Sequence, residues 1–297
     1  MKKCLSCSHR FQSESWICPR CKSEPAVTDG FWVFSPDLAF ENSGFSGEYF
    51  EKLFQLEDGS FWFRARNRLI LWALQKYFPG ARNFFEIGCG TGYVIMGIRD
   101  QFPHMKVSGS EIFLAGLPYA RQRLPDVSLF QMDARAIPFF EEFDVIGAFD
   151  VIEHIEEDGD ALKEMFAAIR PGGGVLLAAP QHAWLWSEID DASFHKRRYT
   201  RRDFIGRIEA AGFRVRMVTS FVSLLLPLMA LARMRYLIPS QKKNLQAEFK
   251  LGNRMNGILE NVMALELSLI RRSLDFRLGG SLFVVATKEQ LNVENPL

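Results

Sequence analysis

Residues 83–92 read NFFEIGCGTG. Asn83 to Ile87 is a short apolar run of strand character. It opens directly into a loop with glycines at 88, 90 and 92, and a helical pattern follows to about Gln101. Strand, glycine turn and helix in that order is the building unit of a parallel sheet covered by helices on both faces. The same rhythm continues downstream. Lys106 to Glu111 (KVSGSE) reads as a second strand, with a helix to about Arg123. Val127 to Met132 and Phe143 to Phe149 (FDVIGAF) read as a third and a fourth. A helix over 161–169 turns through PGGG into a fifth strand, Val175 to Ala179. A helix over 204–211, ended by Gly212, leads to a sixth strand at 213–218, and SLFVVATK at 281–288 closes the set. The pattern predicts a doubly wound, seven-stranded, mostly parallel α/β sheet.

The flanks follow other rules. Residues 48–78 form a helical pattern that Pro79-Gly80 stops. Residues 24–47 carry Pro25, Gly30, Pro36, Gly44 and Gly47 and read as a linker around a short apolar piece, GFWVF. The expected organisation is a cysteine module over 1–23, the linker, a main domain over 48–220 and 279–290, and a helical insertion over 221–278.

Among 297 residues, 48% are hydrophobic and 24% charged, an ordinary globular composition. Lys plus Arg is 36 against 35 for Asp plus Glu, so the net charge is +1. That excludes a global basic field for nucleic acid but not a local patch. The opening MKKCLSCSHRF lacks the apolar core of an export signal. The apolar run from Phe221 to Ala232 contains Pro227 and is shorter than the roughly 20 residues that a spanning helix needs. A cytoplasmic chain is expected, with peripheral membrane contact through 221–243 as a further expectation.

Four of the five cysteines, Cys4, Cys7, Cys18 and Cys21, form two Cys-x-x-Cys pairs. Each pair sets two thiolates on one tight turn, and two such turns suit a tetrahedral zinc ion. A disulfide pair and a rubredoxin-like iron site are the alternatives. The module is too small to fold on apolar burial, so the metal would supply its folding energy. Cys89 stands apart in the glycine loop and reads as a small buried residue.

The loop removes side chains where backbone must approach a ligand, and the helix behind it offers free N–H groups. Glu111 ends the next strand, where a carboxylate can accept both hydroxyls of a ribose. A dinucleotide loop would be G-x-G-x-x-G, but position 93 is Tyr, and Glu86 just upstream would repel a pyrophosphate. An ammonium suits Glu86, and S-adenosylmethionine carries an ammonium, a sulfonium and a ribose.

The segment resembles the class I, Rossmann-like S-adenosylmethionine-dependent methyltransferases, in the branch that includes ubiquinone-biosynthesis O-methyltransferases. FFEIGCGTG, Glu111, QMDARAIPF (131–139), FDVIGAFDVIEHIEE (143–157), IRPGGGVLLAAPQ (169–181) and FHKRRYTRRDFIGRIEAAGF (194–213) carry the likeness. The resemblance implies that Glu86, Gly88, Cys89, Gly90 and Gly92 line the methionine part and ribose. It places Glu111 on the ribose hydroxyls and Ile112 on adenine. It aims Asp133 at the adenine amino group, with the Ala134 N–H beside it, and sets Phe149, Asp150 and Val151 beside the transferring methyl. It also lets Arg64 or Arg68 touch the cofactor carboxylate. Plainer readings stay open: a turn for Asp133, a helix N-cap for Asp150, a solvated helix face for the arginines.

Methyl transfer from a sulfonium is an in-line displacement that needs a base only if the acceptor starts protonated. His154 and His195 are the candidate bases, against a structural hydrogen bond for the first and a solvated loop for the second. Lys196, Arg197, Arg198, Arg201 and Arg202 could hold an anionic group. With the apolar insertion, they lead to the expectation of a small or lipid-linked, anionic acceptor. Two alternatives stay open: a ribosomal RNA base methyltransferase, though nucleic acid is disfavoured by the charge balance, and a non-catalytic cofactor-binding scaffold. A lid or a homodimer contact are further readings of the insertion.

Overall fold

The computed structural model describes residues 1–40, 45–234 and 252–290. Its central sheet has nine strands. Five carry the glycine-loop half and its neighbours: β5 (Asn83–Ile87), β6 (Lys106–Glu111), β7 (Ser128–Gln131), β8 (Phe143–Phe149) and β9 (Ile169–Pro180). All five are parallel to their neighbours within this group. β10 (Arg214–Phe221) and β11 (Ser281–Thr287) complete the expected seven, with β11 inserted antiparallel between β9 and β10. Two more strands come from the stretch read as a linker. Ala26–Thr28 (β3) and Phe31–Val33 (β4) form a hairpin around Asp29-Gly30, and β4 pairs with β7. The order is β10-β11-β9-β8-β5-β6-β7-β4-β3.

From β5 the chain runs outward through β6 and β7, then crosses back to place β8 on the other side of β5. That reversal opens a crevice at the carboxyl ends of β5, β6 and β8, where ligands bind in open sheets of this kind. Both faces are covered. Leu69, Ile70 and Leu74 of α2 (Phe61–Tyr77) and Ile95 and Ile98 of α3 (Tyr93–Gln101) pack on one face. Leu162 and Met165 of α5 (Asp158–Ala168) and Phe204 and Ile208 of α7 (Arg201–Ala210) pack on the other. Strands buried on both sides read as continuous apolar runs, which is why they were legible.

Two further elements differ from the sequence expectation. The helical pattern at 48–78 is two helices, α1 (Gly47–Leu56) and α2, separated at Asp58-Gly59. β9 starts at Ile169 and takes in the PGGG segment, because its backbone lies flush against β11. A Cβ at Gly174 would come within 2.1 Å of the Ala286 carbonyl oxygen.

The cysteine module begins with a small hairpin, β1 (Lys2–Lys3) and β2 (Arg10–Phe11). It is not suspended on a tether. The Lys3 N–H donates to the Pro138 carbonyl at 2.9 Å, and the buried Trp16 ring packs edge-on against Phe34, Phe130 and Phe139 at 4.7, 6.0 and 5.5 Å. In the insertion, α8 (Leu226–Met234) and α9 (Asn253–Arg271) are helical, and α9 lies along α2. Residues 235–251 of the insertion, including part of the stretch 221–243 expected to touch a membrane, lie outside the described residues. Among the described residues no helix is long and apolar enough to cross a membrane.

Candidate functional site

The loop after β5 turns at Gly88, whose φ is +67°. A Cβ there would lie 2.4 Å from Val151 Cγ2, so the turn admits only glycine. A Cβ at Gly90, by contrast, would meet nothing within 4 Å, so this part of the loop faces open space. Cys89 is buried against Gly109 of β6. Burial and the Glu86 carboxylate push its thiol well above the usual range, which leaves it unreactive.

Two acids flank the loop. Glu111 accepts from the Gly90 N–H at 3.0 Å and the Phe113 N–H at 3.2 Å, so one carboxylate ties the loop after β5 to the end of β6. Burial raises its carboxyl pKa. Glu86 is buried in β5, and its Oε2 has no partner. Burial pushes it well above the carboxylate range, opposed by Arg66 and reinforced by Glu57 and Glu111. A buried carboxylate with one oxygen left bare calls for a cation. Ile112 is half-buried, and its carbonyl accepts from Gln131 at 2.8 Å. Asp133 holds Arg135 through both carboxylate oxygens, with Nη2 at 2.7 Å, and also makes a turn by accepting the Arg135 N–H at 2.8 Å. Ala134 beside it is buried.

On the far wall Phe149 ends β8 and Asp150 follows at φ +57°. Asp150 forms an ion pair with Arg66 of α2, whose guanidinium also lies 4.4 Å from the Trp62 ring centroid. Arg66 was missed from sequence. Its signal was its phase: it lies three residues after Phe63 and three before Leu69, both buried, so it faces inward. Arg64 and Arg68 face the other way and converge on Glu260 of α9 rather than on the loop.

Two segments close over the crevice. The Phe45 ring stacks on Phe113 at 5.4 Å and meets His154 edge-on at 5.5 Å. Burial and the carboxylates of Glu57, Glu111 and Asp150 push the Tyr49 phenol up to about 12. Just beyond α1, Glu57 is buried in an ion pair with Arg123, and Thr91 of the glycine loop donates to the same carboxylate. This clamp joins the covering helix to the loop, and nothing in the sequence pattern announced it.

His154 and His195 do come together, with ring centroids 4.8 Å apart. Burial, and then His195, bring the His154 pKa down to about 4, so its ring is neutral near pH 7. His195 faces Asp190 through Nδ1 at 2.9 Å. The basic cluster is largely engaged internally. Arg197 pairs with Glu156 and Asp158, Arg198 with Asp190, and Arg201 with Asp275.

The four thiols of the N-terminal module converge. Cys4 Sγ lies 3.5 Å from Cys21 Sγ and Cys7 Sγ 3.7 Å from Cys18 Sγ, with all four within 4.8 Å of one another. These separations are far beyond a disulfide bond. They match the edges of a tetrahedron around an ion about 2.3 Å from each sulfur.

Residues 84–173 match the methyltransferase domain family model. A protein of Mycolicibacterium smegmatis named for S-adenosylmethionine-dependent methyl transfer is 29% identical over 163 residues, covering 54% of this chain and 62% of the relative. A trans-aconitate 2-methyltransferase of an Azoarcus species is 28% identical over 131 residues, covering 44% of this chain and 49% of the relative. The chain thus spans about half to three-fifths of the length of these relatives. A chain from the complex of the Haloferax volcanii Trm112 methyltransferase activator with a methyltransferase superposes with a TM-score of 0.57 at 15% identity, over 84% of this chain and 99% of that one. The polypeptide is therefore built on the Rossmann-like methyltransferase fold, and its residues 84–173 match the methyltransferase domain family.

Proposed function

We propose that the protein is an S-adenosylmethionine-dependent methyltransferase that methylates an oxygen of a small, apolar or lipid-linked acceptor. The observation that carries the first part is the pair of buried acids around an open glycine loop at the sheet's reversal. Glu86 waits for an ammonium and Glu111 presents oxygens toward a ribose. Asp133 and Ile112, at the ends of the neighbouring strands, would flank the adenine.

When bound, the cofactor supplies a methyl group on a sulfonium, whose carbon–sulfur bond breaks as the acceptor–carbon bond forms. The chain's part is alignment and exclusion of water. Phe45 and Tyr49 cover the crevice, and the Glu57–Arg123–Thr91 clamp holds that cover to the loop. Arg66 fixes the Asp150 carboxylate beside the methyl position. The neutral His154 and the Asp190-oriented His195 stand where a proton leaving an acceptor hydroxyl would be received, and this favours oxygen as the atom methylated.

Exposed apolar side chains support an apolar acceptor. Trp184, Trp186 and Phe194 lie on the segment that carries His195, and Leu228, Leu231 and Ile258 lie on the insertion. Such a surface fits contact with a lipid interface. The four thiolates fit a zinc ion that shapes the module and, through Trp16, braces the sheet edge.

The test is transfer of labelled methyl to a cell lysate, with lipid, RNA, protein and small-molecule fractions counted separately. Label in the lipid or small-molecule fraction is expected. Label confined to RNA would replace this reading with base methylation, and no label in any fraction would leave a cofactor-binding scaffold.

A further inference from the structure

Three groups meet beside Asp150 in a way that alignment of a sulfonium does not require. Glu153 is fully buried, and neither of its carboxylate oxygens has a hydrogen-bond partner. His154 Nδ1 is also buried without a partner. His195 Nε2 lies 3.9 Å from Glu153 Oε1. One donor atom from each of the three lies within 4.8 Å of the others. Buried polar atoms are ordinarily paired, and a buried carboxylate more so, so the bare Glu153 carboxylate and His154 Nδ1, with an imidazole nitrogen of His195 beside them, point to a cation site.

The surroundings complete the pattern. The other nitrogen of His195, Nδ1, faces Asp190 at 2.9 Å. Asp190 is itself held by Arg198 at 2.7 and 3.0 Å and by the Ser187 N–H at 2.8 Å. A carboxylate behind an imidazole fixes its tautomer and turns the opposite nitrogen toward a metal. His195 retains 13% side-chain exposure, so the cluster is not sealed from solvent.

We propose that Glu153, His154 and His195 form a binding site for one divalent first-row metal ion. Two imidazoles and one carboxylate are a donor set such ions accept, with coordination positions left for water or an acceptor oxygen. The role of the ion rests on the methyltransferase reading: with the two imidazoles engaged as ligands, it would hold the acceptor oxygen and ease loss of its proton to water, in place of direct transfer to the histidines. The binding site itself does not depend on that reading.

The experiment titrates the full chain with Mn²⁺, which disfavours the four-thiolate module. Calorimetry gives the stoichiometry, and pulsed electron paramagnetic resonance detects ¹⁴N coupling from imidazole. One Mn²⁺ per chain with nitrogen coupling is expected, weakened at least tenfold in both Glu153→Gln and His195→Gln. S-adenosylhomocysteine binding, measured in the same samples, reports folding of the variants. No Mn²⁺ binding, no nitrogen coupling, or unchanged affinity in both variants would overturn the proposal, the last two by marking an adventitious ion. Loss of S-adenosylhomocysteine binding by the wild type would instead remove the methyltransferase reading and leave the metal result standing.

Discussion

The two walls of the crevice are put together at different ranges along the chain. On the cofactor wall, the hydrogen bond that ties the glycine loop to Glu111 spans 21 residues. On the acceptor wall, the Arg66–Asp150 pair spans 84 residues, and the Arg64–Glu260 contact of the covering helices spans 196. The first wall is a backbone turn with two acids and varies little in what it can hold. The second is assembled from α1, α2, the segment after β9 and α9, which lie far apart along the chain. A local motif thus builds one wall, while long-range packing builds the other.

The largest expected effect tests the join between the walls. Arg123→Met leaves the Glu57 carboxylate buried without its partner, and breaking such a pair costs about 3–5 kcal/mol. Urea unfolding should show a loss of that size; an unchanged midpoint would mean that the cover is not fastened to the loop. Next comes the loop itself. Gly88→Ala puts a methyl against Val151 at positive φ, a strain of about 1–3 kcal/mol. S-adenosylhomocysteine affinity should fall about ten- to a hundredfold, and Val151→Ala should restore part of it.

A third test concerns charge on the cofactor wall. Burial raises the Glu86 carboxyl above its ordinary range, and a bound ammonium favours the ionised form. Binding therefore expels a proton, and affinity should rise with pH through the raised range and level off above it. Glu86→Gln should flatten that profile and weaken binding about tenfold above the plateau, a difference of about 1.4 kcal/mol. The smallest effect belongs to the outer helices. Arg64→Met removes one of two arginines on a partly exposed Glu260, and unfolding free energy should drop by less than about 1 kcal/mol with cofactor affinity unchanged. A clear loss of cofactor affinity would return Arg64 to the cofactor wall.

How much could be read from sequence follows the same divide. Strands β5, β8 and β11 were legible because both faces of the sheet are covered there, which leaves unbroken apolar runs between turn residues. Glu86, Gly88 and Glu111 were legible because their spacing is fixed by one strand, one turn and one helix. The hairpin of β3 and β4 was not. Its strands are three residues each, too short for an alternation to show, and its place depends on pairing with β7 far along the chain. The Glu57–Arg123 clamp and the Arg66–Asp150 pair have no local signature either. Only the inward phase of Arg66 on α2 hints at its role. His154 and His195 could be named as candidates, but their approach, with Glu153 between them and Asp190 behind, is visible only once the segment after β9 folds back.

Residues 86–92 and Glu111 are proposed to seat an adenosyl amino acid. Calorimetry of the full chain with S-adenosylhomocysteine, on the wild type and on Glu111→Ala, addresses it most directly. One molecule bound per chain, a raised melting temperature, and at least tenfold weaker binding in the variant are expected. No binding by the wild type, or equal affinity in both, would contradict it.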